Sequence, residues 1–465
     1  MKNIIHQFHI NKLFLAMKAF RVIWEVRRFF PLWGLGGFCF SLFPFLIHAQ
    51  TIVNLQEAVD MGLKNRLDLK NQQLQISIAE NELAKTNTRN LPQVTGTADF
   101  RWNTQRQTNV IPIGQNGEPR SVQFGTQFNN LLAINVNQSL YNPNNQSDRT
   151  MATVNRQIAE RNVEKAQTDI KLAITQAYYA VMLNEEKLRL SENNTQRTKA
   201  YMVQARTKFE SGALLKTDLE RFELDFENAK IVVANDSNNL EVSRQNLANQ
   251  LGLPINTDLK IKDNLESLLN NTNPELRTES AVESRVEFKQ EQLQKQLNEV
   301  NYTKQNKNYL PTVSAYGNLS LQQLTDEFNP VASGTWSTFN YVGIKADIPI
   351  FDGGQKSRTK QEYKLRQEIN QNNLAKLNLD LTYEAQSAKV EIENSIANLH
   401  NARRNVQLAE KVVASDKVKS DNANLTYTEL RNAEYALQTA QNNLLNVFYN
   451  YLLAQVKWQK AVGKL

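Results

Sequence analysis

The side chains that most often carry chemistry are nearly missing from this sequence. Of the four histidines, His6, His9 and His48 precede residue 50 and only His400 follows it; the single cysteine is Cys39. Past residue 50 there is almost nothing from which to build a His/Cys metal cluster or a nucleophile–histidine pair. His400 sits mid-helix among polar residues and reads as a helix-surface side chain. The many carboxylates fall in long helical stretches, where they read as solvated faces or i,i+4 partners of Lys and Arg. Phe351-Asp352-Gly353-Gly354 has the look of a phosphate loop but lacks its Lys and its further Gly, so it reads as a strand-to-helix turn. No catalytic residue, metal ligand or cofactor site is expected, which argues against an enzyme. The remaining candidates are turn residues, and what they do depends on the elements that place them.

Those elements come twice. Arg66 to Val94 reappears without a gap 219 positions later as Arg285 to Val313, with Arg66, Lys70, Gln73, Leu74, Gln75, Lys85, Asn87, Leu91, Pro92 and Val94 each meeting its own type. Copies of this size point to a tandem duplication rather than a short-period solenoid. In the first copy Leu55 to Asn90 reads as one helix stopped at Leu91-Pro92. Val94, Gly96, Ala98, Phe100 and Trp102 then alternate with Thr95, Thr97, Asp99, Arg101 and Asn103, a strand with one apolar and one polar face. A loop is expected from about Gln105 to Gln127. A second strand follows, with Leu132, Ile134 and Val136 on its apolar side. From Gln146 to Lys208 there is no Pro or Gly, which predicts a very long helix. Its seam of Ile170, Ile174, Ala177, Val181 and Leu188 is that of a coiled coil. Leu172, Tyr179 and Leu190 form a second stripe, so the helix has neighbours on two sides. After Ser211-Gly212 a return helix is expected from Thr217 to Gln250, stopped by Gly252 and Pro254.

The second copy repeats the scheme. A helix is expected from Glu275 to Tyr309, opened by Pro274. Two strands follow, one with Val313, Ala315, Gly317, Leu319 and Leu321 and one with Val342, Ile344, Ala346 and Ile348, separated by a loop over Gln323 to Ser337. A long helix carries Leu374, Leu377, Leu381, Ala385, Ala388, Ile392, Ile396 and Leu399. A break near Asp421 to Tyr427 precedes a last helix.

The first residues differ in kind. Lys12, Lys18, Arg21, Arg27 and Arg28 precede an apolar run from Phe29 to Ile47, which reads as a secretory signal cleaved between Ala49 and Gln50. Met17 as the start would give it a more ordinary length. This segment supplies +5 of the net charge of +7, so the sequence pI of about 9.1 is no argument for nucleic acid. Cys39 follows Phe38 where a lipidation site needs a small residue, so no lipid anchor is expected. Mean hydropathy is −0.53. No later apolar run is long enough to span a bilayer as a helix, so any membrane span must be made of strands. The expected domains are a signal peptide over 1–49, a first repeat over 50–254, a linker over 255–274 and a second repeat over 275–465.

The ordered motifs resemble the TolC-like outer-membrane efflux channels over nearly the whole chain past the signal. They are LPQV (Leu91 to Val94), FESGALLKTDLERFE (Phe209 to Glu223), LGLP (Leu251 to Pro254), LPTV (Leu310 to Val313) and DIPIFDGGQ (Asp347 to Gln355). The resemblance implies a mainly helical fold with a membrane β-barrel: a homotrimer whose protomers each lend four strands to a twelve-stranded barrel and their helices to a coiled-coil α-barrel across the periplasm. It implies an exit duct in the outer membrane of a Gram-negative bacterium, working with a periplasmic adaptor and an inner-membrane pump in efflux or type I secretion. The cargo (drug, metal or protein) stays open. The helix tips would dock the adaptor: Phe209, Gly212, Leu214, Thr217 and Asp218 at the first, Asn422 and Ala423 at the second. Gly212 permits the backbone reversal and Thr217 is placed to cap the return helix. Glu429 falls at an acidic entrance position, and Asn432 where the family has a second acid. Ser420 and Leu425 stand where the family carries the Tyr and Arg of its gate lock, so that lock is not implied. A periplasmic coiled-coil scaffold without a pore is the alternative, and the four alternating strands argue against it.

Overall fold

The computed structural model describes residues 51–112, 119–263, 268, 282–329, 336–421 and 427–465. In chain order these form β1 (Thr51–Val53), α1 (Leu55–Asn65), α2 (Leu67–Thr88), β2 (Gln93–Trp102), β3 (Gln107–Pro112), β4 (Pro119–Phe124), β5 (Phe128–Tyr141), α3 (Asn145–Glu210), α4 (Lys216–Gln250), β6 (Leu259–Ile261), α5 (Val286–Lys307), β7 (Thr312–Thr325), β8 (Trp336–Asp347), α6 (Gln355–Asp421) and α7 (Tyr427–Ala461).

The helix expected over Leu55 to Asn90 is two helices. Arg66 turns out of the helix into extended backbone (φ −61°, ψ 124°) and starts α2 afresh. Arg285 does the same before α5 (φ −65°, ψ 138°), so that helix begins at Val286 rather than at Glu275, which lies with Pro274 outside the described residues. The reason is shared. Each arginine pairs with the acid two residues on, Arg66 with Asp68 at 2.6 Å and Arg285 with Glu287 at 3.1 Å. Each also reaches the end of a return helix, Arg66 to Gln250 Oε1 at 2.8 Å and Arg285 to the Ala461 carbonyl at 3.2 Å. Gly252 and Gly463 lie against these joints at φ 68° and 74°. A Cβ at Gly252 would sit 3.3 Å from the Arg66 nitrogen, and one at Gly463 3.2 Å from Ser284 Oγ. The return helices α4 and α7 therefore end against the starts of α2 and α5.

The long helices α3 and α6, of 66 and 67 residues, each span about 100 Å. The seam residues Ile170, Ile174, Ala177 and Val181 are buried, as are Leu381, Ala385, Ala388, Ile392 and Leu399. Ile396 stays exposed. Helix α3 packs against α2 and α5 near the sheet and against α4 and α7 beyond them, while α6 packs against α5 and α7. The core is densest where the stacks meet, around Ile174, Tyr178, Met182, Leu247, Leu251, Leu259, Ile392, Phe448 and Tyr451. There β1 pairs in parallel with β6, which lies in the stretch expected to be linker. Tyr178 donates to Asp263 Oδ2 at 2.7 Å, and the same oxygen accepts from the Leu55 amide at 3.1 Å. Burial, reinforced by the Asp263 charge, raises the Tyr178 phenol well above its ordinary value.

The main sheet runs β2-β5-β7-β8, antiparallel throughout. The Gln105–Gln127 stretch is not a plain loop: β3 and β4 form a hairpin in it.

Candidate functional site

The sheet register turns the sequence alternation into two faces. On one lie Val94, Val136, Gly317 and Val342 in a row, then Gly96, Ile134 and Leu319 with Asn340, then Ala98, Leu132 and Leu321 with Thr338. This apolar face is bare: Val342 is 89% exposed, Ile344 73% and Ile134 51%. The other face carries Thr95, Asn135, Asn318 and Tyr341 in one row, Thr97, Ala133, Ser320 and Phe339 in the next, then Asp99, Leu131 and Gln322. Its polar groups bond mainly to one another, Asn318 to Asn135 at 2.7 Å and Gln322 to Asn129 at 3.0 Å. Trp102 stacks on Phe128 and Phe328 packs against it, collecting aromatics at the end of the sheet away from the helices. Strands of 10 to 14 residues are long enough to cross a bilayer. Among the described residues no helix is long and apolar enough to do so.

At the other end, the first tip closes through hydrogen bonds from the Gly212 amide to Phe209 O at 2.9 Å and from the Ala213 amide to Lys208 O at 2.8 Å. This is a glycine-terminated Schellman closure, with Gly212 at φ 72°. It leaves only Ala213 to Leu215 to reverse the chain. The return helix thus starts at Lys216, the N-cap is Leu215 with no side-chain cap, and Thr217 already lies inside the first turn. The expected cap at Thr217 is corrected accordingly. Asp218 sits in that first turn, where it complements the helix dipole, and accepts from Arg221 at 3.3 Å. Phe209 is exposed and Leu214 half-buried, while Leu215, which the motif reading passed over, is 71% exposed. At the second tip Asn422 and Ala423 lie outside the described residues, as do Ala49 and Gln50. Glu429 and Asn432 are exposed, one turn apart at the start of α7.

Behind the tips, a polar link joins the first helical pair to α7. Tyr201 donates to Glu434 Oε1 at 2.8 Å, Arg197 lies 3.6 Å from Glu434 Oε2, and Arg431 pairs with Asp225 at 2.8 Å. A small cavity lined by these side chains, Phe222 and Leu430 sits among them. Its residues stand about 6–20 Å from the helix ends at 1.5 Å per residue. Sequence reading missed it, because an Arg or Glu on a helix looks the same whether its partner is one turn away or on another helix.

A tall sheet with one bare apolar face and one polar face, set on helices about 100 Å long, is a segment of a membrane β-barrel wall continued by a helical tube. The model of the outer membrane efflux protein family matches residues 58–253 and 278–464. The outer membrane protein TolC of Vibrio cholerae is 19% identical over 415 residues, covering 89% of this chain and 91% of that protein. Among solved structures, CusC superposes with a TM-score of 0.70 at 16% identity, over 88% of this chain and 92% of that one. The CmeC outer membrane channel of Campylobacter jejuni does so with a TM-score of 0.69 at 18% identity, over 88% and 86%. The chain belongs to the outer membrane efflux protein family. It is an outer-membrane protein of a channel family, not an enzyme.

Proposed function

We propose that this protein is the passive exit duct of a tripartite efflux or type I secretion system, carrying cargo across the periplasm and outer membrane. The observation that carries the reading is the sheet: β2 and β8 end it with no strand paired beyond them among the described residues. An open edge is not tolerated in lipid, and four strands cannot close a pore. Because β2 and β8 run antiparallel in a four-stranded sheet, β8 of one copy can pair with β2 of the next, and three copies close twelve strands. The apolar face then meets lipid and the polar face lines water.

The pump supplies the energy and the duct does no chemistry. The tips, with Phe209, Gly212, Leu214, Thr217, Asp218, Asn422 and Ala423, dock the periplasmic adaptor, and exposed Leu215 adds apolar surface there. Glu429 lines the entrance, where three symmetry copies focus negative potential on cations. The Tyr201–Glu434–Arg197 and Asp225–Arg431 links hold the helical pairs together near that entrance and favour the closed tube. Reconstitution in a planar lipid bilayer tests the duct: stepwise, cation-preferring currents are expected, and a bilayer that stays at lipid baseline contradicts it. A photocrosslinker at Leu215 tests the docking end; it should capture a co-expressed adaptor, and capture only by positions on the sheet would move the docking site.

A further inference from the structure

We infer that the water-facing wall of the sheet carries a contact site for flat, uncharged aromatic molecules, built from Phe339, Tyr341 and Tyr316. The inference rests on the duct reading and adds a cargo class to it. On the polar face, Phe339 is paired with Ser320 and Tyr341 with Asn318, so both rings stand in one column of β8 among Asn, Ser and Thr side chains. They are not packed away: Phe339 is 42% exposed and Tyr341 50%. Tyr316 is opposite Gly343, where a Cβ would lie 2.6 Å from the tyrosine ring, so its ring lies over the glycine. It meets Tyr341 edge-on, with centroids 5.9 Å apart and planes at 69°. Gly343 is thus the space that lets Tyr316 lie against the wall and stiffen the Tyr341 ring.

Around this strip the wall offers little to an ion. Its charges come as neighbours on one strand that cancel, Arg101 with Asp99 at 2.8 Å and Lys345 with Asp347 at 2.9 Å. Many of its amides and hydroxyls are already hydrogen-bonded along the sheet, such as Asn135 to Thr97 and Ser320 to Asn318. A polar, neutral wall interrupted by exposed ring faces holds a flat aromatic solute by stacking and apolar contact, and holds a charged or purely polar solute weakly. In a closed trimer the strip occurs three times around the bore. Passing aromatic molecules dwell there briefly and move on, since no single strip encloses them.

Single-channel recording of the full-length trimer in a planar bilayer tests this with riboflavin as the neutral aromatic probe and raffinose as the polar control. Riboflavin should interrupt the current for resolvable dwells and raffinose should not. The Phe339→Leu/Tyr341→Leu double variant keeps bulk and apolarity but loses the rings, and should shorten those dwells by about three- to tenfold at unchanged open conductance. Tyr341→Phe, which keeps the ring, should leave them as they were. Equal dwells in the double variant, or equal interruption by raffinose, overturn the strip while leaving the duct standing. If the wild type conducts nothing, the duct reading falls and the strip falls with it.

Discussion

At the residue scale, two side-chain types decide what the tip can do. Gly212 stands in the left-handed region at the first turn, and a Cβ there would touch nothing within 4 Å. The demand is on the backbone, not on space, so Gly212→Val strains only the turn, at roughly 1–2 kcal/mol. The trimer should still assemble on a native gel while export in cells is lost, and full export would show that the turn geometry does not matter for docking. Glu429 is exposed at a helix start. Glu429→Gln should remove cation preference, read as a reversal potential moving toward zero in a salt gradient. An unmoved reversal potential would take Glu429 out of the entrance. Turn chemistry singled out Gly212 in the sequence, and it stands at the left-handed position of the turn. Leu215 was not singled out, since a Leu-Leu pair does not say which side chain the turn leaves outside.

At the element scale, the joints and the polar link matter most. The Arg285–Glu287–Glu384 cluster sets how α5 sits on the end of α7. Burial opposes the Glu287 charge, but the Arg285 hydrogen bond and charge outweigh it and hold the carboxyl below its ordinary value. A carboxyl lowered in the folded state stabilises above its unfolded value, and that contribution is lost as pH falls through the lower folded value. Thermal stability should therefore drop on acidification below the ordinary carboxylate range of about 4. Arg285→Met should lower stability already at neutral pH, by about 3 kcal/mol, and flatten the acid dependence. An unchanged acid limb would assign it to other carboxylates. The link behind the tips predicts a conductance effect. Each half-exposed pair is worth about 0.2–1 kcal/mol, and threefold repetition multiplies it. Arg431→Ala with Glu434→Gln should raise the open fraction severalfold in bilayer recordings, and an open fraction equal to wild type would make the link purely structural.

At the scale of the whole molecule, the duplication was legible and its joints were not. Absence of Pro and Gly gave the first long helix to within two residues, and alternation placed the four strands of the main sheet, although β8 stops at Asp347 short of Ile348 and carries Thr338 and Asn340 on its apolar side. The break at Arg66 escaped because it has no Pro or Gly; an arginine–aspartate pair and a glycine nearly two hundred residues away produce it. The β1–β6 pair escaped because three residues on either side carry no periodicity and pair only through tertiary packing. The β3–β4 hairpin was hidden by its polar composition. Sheet faces and the first turn were readable because alternation and glycine fix them. What hid the link between helical pairs is that side chains meeting across helices leave no spacing signal.

The central claim is that three copies of this chain make one tube. Electron cryomicroscopy of the detergent-extracted protein tests it most directly. A threefold particle with a helical tube of about 100 Å capped by a shorter twelve-stranded barrel is the predicted result. An elongated particle without threefold symmetry, its four-stranded sheet still open, would contradict it.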